Sequence, residues 1–172
     1  MDLLLNRAAV VSPCGKYRYR LEREIGSGKT ACGIMVNPST ADGLSDDATI
    51  RKWLGFAVRN DIGRFIIGNK FAYRSTDVKA LRSVDDPCGP ENDEYLEAMM
   101  READLHIVAW GPLAKLPPNL RSRWLEIVTI ADRVGCELLC LGTAKDGHPR
   151  HPLMLAYSTP LVPWLPTATG KE

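Results

Sequence analysis

Short apolar runs alternate along this chain with stretches of helical periodicity, and that alternation restricts its fold more than any other feature. The runs are Ala31 to Val36, Phe65 to Asn69, Leu105 to Trp110 and Glu137 to Leu141. Each is short, rich in β-branched or bulky apolar residues, and reads as a strand buried on both faces. Between the first two, Asp46-Asp47-Ala48-Thr49 opens a helix, and Ile50, Trp53, Leu54 and Ala57 recur at its spacing. Asn60, Asp61 and Gly63 close it. A second helix runs from Pro90 to about Arg101 with Tyr95, Leu96, Met99 and Met100; a third spans 120–133 with Trp124, Leu125, Ile127, Val128 and Ile130. Strands that alternate with helices build a parallel sheet covered on both sides. The expected fold is α/β: three layers, α/β/α, around a central, mainly parallel four-stranded sheet. Residues 16–24 alternate, with Tyr17, Tyr19 and Leu21 on one face and Arg18, Arg20 and Glu22 on the other. Followed by Gly26-Ser27-Gly28-Lys29, they predict an N-terminal β-hairpin feeding the strand at Ala31.

The 172 residues suit one domain over 1–172, with 160–172 as a flexible, Pro-rich tail. Apolar content of 45% and charged content of 25% are those of a globular chain. A net charge of +1 gives no overall field, so a polyanion partner would need a local basic patch. The 5 cysteines are odd in number and contain no Cys-x-x-Cys, which argues against a disulfide framework or structural zinc. The apolar run at Leu3-Leu4-Leu5 is too short for a signal peptide or a membrane span. The expectation is a cytoplasmic protein with reduced thiols, no membrane partner and no cofactor. Oligomeric state is not legible.

In parallel sheets, ligands sit beyond the carboxyl ends of the strands. Here those ends are Asn37-Pro38, residues 69–74, Gly111-Pro112 and residues 142–152, where the unusual polar residues collect. Gly26-Ser27-Gly28-Lys29-Thr30 has the ending of a phosphate-binding P-loop. However, Arg23 occupies the first glycine position, and a strand follows where a helix is required. It reads as a turn.

Ser12-Pro13-Cys14-Gly15-Lys16-Tyr17-Arg18-Tyr19, Asn37-Pro38-Ser39-Thr40-Ala41-Asp42, Asp47-Ala48-Thr49 and residues 142–152 resemble a bacterial and phage family, domain-of-unknown-function family 1643. That likeness covers nearly the whole chain and supplies no activity. The order of motifs also resembles the uracil-DNA glycosylase superfamily. Ile34-Met35-Val36-Asn37-Pro38 is similar to its water-placing strand end, Ile66-Ile67-Gly68-Asn69 with Arg74 to its base-reading strand, and Trp110-Gly111-Pro112 to its third strand end. Its closing His-Pro loop, with an apolar wedge, is matched by His151-Pro152-Leu153 or by His148-Pro149.

This second resemblance implies hydrolysis of an N-glycosidic bond in a nucleobase, nucleotide or nucleic acid. Such a reaction passes through an oxocarbenium-like sugar and leaves negative charge on the departing base. Asn37 would place water, and His151 or His148 would donate to the base oxygen. Asn69 would read a base edge or merely end a strand, and Phe71 or Tyr73 would stack on a base or pack in the core. Arg150 is the candidate for phosphate, Arg74 a further substrate contact after Asn69, and Leu153 the candidate wedge. Pro38, Ser39, Thr40 and Gly111 complete the expected substrate contacts. Of the acidic cluster, Asp46 and Asp47 read as helix caps, which leaves Asp42 as the carboxylate for activating water; no metal site is assigned. The alternative is a binding module for nucleic acid or nucleotide without catalysis, in phage or mobile-element DNA handling. A small-molecule transferase or hydrolase using the same pocket is a third reading.

Overall fold

The computed structural model describes residues 4–166. In chain order it has β1 (Asn6–Val11), β2 (Arg18–Glu24), β3 (Lys29–Met35), α1 (Ala48–Arg59), β4 (Ile62–Asn69), α2 (Asn92–Glu102), β5 (Leu105–Val108), α3 (Trp124–Val134), β6 (Leu139–Cys140) and β7 (Val162–Pro163). One seven-stranded sheet has the order β1-β2-β4-β3-β5-β6-β7. β3 runs parallel to both β4 and β5, and β5 to β6. The pairs β1–β2, β2–β4 and β6–β7 are antiparallel.

This corrects the expected four-stranded, mainly parallel sheet with a separate hairpin. The sheet is mixed, because antiparallel strands extend it at both edges. β2 does not pair with β3, its neighbour in sequence; β4 lies between them. Adjacency in sequence favours a hairpin, but β4 takes both partners, with Leu21 opposite Ile67 and Ala31 opposite Phe65. The true N-terminal hairpin is β1–β2. At the far edge, β7 lies in the segment expected to be a tail. Trp164 beside it is only 3% exposed, and its indole N–H donates to the Gly147 carbonyl at 3.0 Å. The rest of that segment, 167–172, lies outside the described residues.

Alternate residues along the central strands enter different core clusters. Ala31, Met35, Phe65 and Ile67 pack with Ile50, Trp53 and Ala57 of α1. Cys32, Ile34 and Ile66 pack with Leu96 and Met99 of α2 and Ile127 and Ile130 of α3. Asp47 caps α1 by accepting the Ile50 N–H at 2.9 Å, as an acidic residue at that position should. The expected third helix begins as a 3-10 turn, Pro118–Arg123, and becomes α-helical only at Trp124; Pro118 stands at the first position, where no N–H donor is needed. The Gly26-Ser27-Gly28 segment is the β2–β3 turn. It lies against the start of β4, where the Gly63 carbonyl accepts from Ile25 at 2.7 Å and from Gly26 at 3.1 Å. Among the described residues, no helix is long and apolar enough to cross a membrane.

Candidate functional site

β3, β4 and β5 end side by side, and a cleft of about 360 Å³ opens beyond their carboxyl ends. Val36, Asn37 and Ser39 line it from the loop after β3, Asn69 from the end of β4, and Trp110 and Gly111 from the segment after β5. His151 reaches it from the loop after β6, and Asp47 and Thr49 from the start of α1. The two loops that the sequence places at one edge of the sheet therefore share a cavity.

Each loop is tied down by its own hydrogen bonds. The Asn37 amide donates through Nδ2 to the carbonyls of Ser75, at 2.8 Å, and Pro38, at 3.1 Å. The Pro38 carbonyl also accepts from Ser75 N at 3.0 Å. With Nδ2 committed, Oδ1 is the part of the Asn37 amide left to accept from a ligand or water. The histidine loop is held by Gly111 N–H to the Pro149 carbonyl at 2.8 Å and by Arg150 N–H to the Gly142 carbonyl at 3.0 Å. Gly111 has φ +79°, a left-handed conformation that glycine adopts without strain, and its α-carbon faces His151. His151 Nδ1 accepts the Leu153 N–H at 3.2 Å, which assigns the ring proton of the neutral form to Nε2. Burial, with help from Lys115, holds His151 below the ordinary histidine range, while Asp47 pulls the other way. The ring at neutral pH is thus an uncharged Nε2–H donor.

The two histidines divide cleanly. His148 does not line the cleft; it is buried among Trp110, Trp124 and Trp164, with the Trp124 ring edge-on at 5.1 Å. Other expected contacts also fall elsewhere. Phe71 is buried in a satellite core with Leu81, Leu116 and Leu120, and Tyr73 packs on that cluster and edge-on against Tyr17 at 5.8 Å. Thr40, Arg150 and Leu153 are exposed, and none of them lines the cleft. Arg74 is half-buried beside the site, and Pro38 is buried beneath it. Asp42 also lies outside the lining: its carboxylate accepts from Leu44 N at 2.8 Å, Ser45 N at 2.9 Å and the Ser45 hydroxyl at 3.1 Å, closing a local turn. Those bonds hold its pKa below the usual aspartate value. The carboxylates that do line the cleft are Asp47 and Asp77, each with one oxygen capping a helical segment.

Arg18 is the lining residue that strand alternation hides. Val10 opposes Arg20 while Val11 opposes Arg18, so Tyr19 is an extra residue, a β-bulge. The bulge re-aims Arg18 from the face it would share with Arg20 and Glu22 into the cleft. Asp47 and Trp110 were legible as a cap and as a strand end, but nothing in their spacing marked them as lining. Among the described residues, no group of three His, Cys, Asp or Glu side chains is placed to hold a metal ion.

Fold and cleft together define an α/β protein whose mixed sheet presents a pocket of mixed polar and apolar lining beyond its parallel strands. More particularly, the chain belongs to the family described as Protein of unknown function (DUF1643), which matches residues 18–153. No curated protein and no solved structure matches it significantly.

Proposed function

We propose that the cleft binds a nucleobase as part of a nucleotide or nucleic acid and hydrolyses its N-glycosidic bond. The observation that carries this reading is the convergence of Asn37, Asn69 and His151 on one cavity, with Asn37 Nδ2 and His151 Nδ1 already committed. What remains is an acceptor for water at Asn37 and a neutral donor for the leaving base at His151, with an amide at Asn69 to read the base edge. Asp47 supplies what an asparagine lacks, a carboxylate able to take a proton. In the step, the water oxygen bonds to the anomeric carbon and the carbon–nitrogen bond breaks. The bonding pair leaves on the base, the His151 Nε2–H stabilises that charge, and the water proton passes to Asp47.

The test is release of free base from DNA and mononucleotides carrying uracil, hypoxanthine or hydroxymethyluracil. Release by the wild type and its loss in Asn37→Ala and His151→Ala are expected. No release across the panel overturns hydrolysis, and binding without product moves the cleft to the non-catalytic recognition of a base.

A further inference from the structure

Arg18 is a buried charged side chain in the cleft that the hydrolytic roles do not use. It is 3% exposed, yet its Nε has no hydrogen-bond partner, and among the described residues no carboxylate lies within ion-pair distance, although Asp47 acts on it from the same cleft. Its hydrogen bond is from Nη1 to the Ala41 carbonyl. Burial lowers its pKa to about 10, with Arg74 and Arg23 adding to the fall and Asp47 and Asp42 opposing it, so it is still a cation at neutral pH. Buried charges are ordinarily paired, because an unpaired one loses its hydration with nothing in return. Asn69, 2% exposed and lining the same cleft, also has an unpartnered amide nitrogen. Two side chains that line one cleft, each with an unmet buried donor, call for a ligand with acceptors there. A neutral carbonyl would satisfy a hydrogen bond but leave the guanidinium uncompensated once water is displaced. An anion satisfies both, and the planar fork of arginine matches phosphate.

The ligand's connectivity follows from the depth of the site. An internal phosphodiester must let the chain leave in two directions, whereas a terminal monoester needs only one. The cavity, about 360 Å³, is at the small end of the range for small-molecule pockets. Asp47 and Asp77 on its walls outnumber Lys115 beside them and oppose a longer polyphosphate. Resting on the nucleobase reading above, we infer that the substrate is a free nucleoside monophosphate whose phosphate is received by Arg18.

The experiment is calorimetric titration of the wild type, Arg18→Met and Arg18→Lys with the common nucleosides, their 5′-monophosphates, inorganic phosphate and a 5′-phosphorylated tetranucleotide. In the wild type, one monophosphate should bind about tenfold or more tighter than its nucleoside, as a charge-assisted contact implies. Arg18→Met should abolish that difference and melt at or above the wild-type temperature, because an unpaired buried charge has been removed. Arg18→Lys keeps a cation but lacks the Nε donor, and should retain only part of the preference; it also serves if the methionine variant fails to fold. Monophosphate and nucleoside binding equally to the wild type overturns the inference while leaving the nucleobase reading intact. A tetranucleotide that binds as tightly as the monophosphate overturns it in favour of strand ends. Phosphate bound through Arg18 without any nucleoside binding keeps the anion site and removes the base. No binding by any of these probes overturns both.

Discussion

Trp110 donates its indole N–H to Nδ1 of His148 at 3.2 Å, and the indole lines the cleft while the imidazole lies behind it. The pair puts His148 in a supporting role: it fixes the ring that forms a wall. Protonation at Nδ1 would break this bond, and burial keeps the His148 pKa low, favouring the accepting form.

The two histidines should therefore respond oppositely to truncation. His148→Ala removes a buried ring from a tryptophan cluster and leaves the Trp110 N–H unpaired. A loss of about 2 kcal/mol or more in denaturant unfolding is expected. His151→Ala should change stability by less than about 1 kcal/mol, because the ring is a cleft-lining group at the end of a surface loop. Base release should instead fall by roughly 100-fold or more, the usual effect of deleting a donor to a developing anion. Equal stability losses for the two variants would contradict the division.

The pH dependence of base release follows from the direction of the His151 shift. Its pKa lies below 6.5 in the native state because burial disfavours the imidazolium. Protonation adds a hydrogen at Nδ1 and expels the Leu153 N–H. Activity should be level above pH 6.5 and decline only below it. The same sign applies to stability: between the native and unfolded pKa values the unfolded chain binds more protons, so stability falls as pH drops below 6.5. An NMR titration in which His151 titrates above 6.5 would exclude the neutral donor.

Asn37 is predicted to be structural and functional at once. Asn37→Ala removes the donor to a part-buried carbonyl of Ser75 and should lower stability by about 1–3 kcal/mol. Asn37→Asp also lacks that donor and sets a negative charge against the same carbonyl, so it should be the less stable of the two. Thermal unfolding of both variants checks this order.

How much of this was readable from the chain depends on which interactions are local. β3, β4 and β5 were legible because strands buried on both faces show as unbroken apolar runs such as Phe65-Ile66-Ile67. The loop after β3 and the histidine loop could be placed at one edge because parallel strands end together. The pairing of β2 with β4 was not legible, since it is decided by contacts such as Leu21 with Ile67, far apart in sequence. β6 lies inside the run Glu137 to Leu141 that read as a strand, whereas β7 is a two-residue strand, too short to carry a pattern. Arg18 was hidden by one extra residue, Tyr19, which reverses the face of everything before it. The choice between His148 and His151 required knowing where Trp110, Trp124 and Trp164 meet.

The turn that mimics a P-loop yields a stability prediction. A Cβ on Gly63 would lie 2.3 Å from the Gly26 carbonyl oxygen, and backbone cannot yield as a flexible side chain can. Gly63→Ala should cost at least about 1–3 kcal/mol by overpacking. Gly68→Ala meets the mobile end of Met99 at the same 2.3 Å and should cost less. A comparison of their denaturation midpoints tests whether the glycines near that turn serve backbone approach.

Lys70 is a buried, unpartnered charge outside the cleft, and its removal should stabilise the protein in a pH-dependent way. The residue is fully buried, its Nζ has no hydrogen-bond partner, and it stands 5.0 Å from the centre of the Trp110 ring. Burial, with Arg123 adding to it, brings its pKa down to about 7. The cation–π contact recovers part of the lost hydration but not a hydrogen bond. Below pH 7 the amine is charged in both native and unfolded chains, and the native state bears the full penalty. Between pH 7 and the unfolded value near 10.5 the unfolded chain holds the extra proton, so the penalty is relieved as pH rises. Lys70→Met, close in volume and uncharged, should therefore gain about 1 kcal/mol or more at pH 6, within the range seen when buried charges are replaced by apolar groups. The gain over wild type should shrink steadily towards pH 10. Taking the difference between the two proteins cancels the cysteine and tyrosine titrations they share. A gain that is constant with pH, or a loss at pH 6, would mean that the Lys70 amine is satisfied in solution.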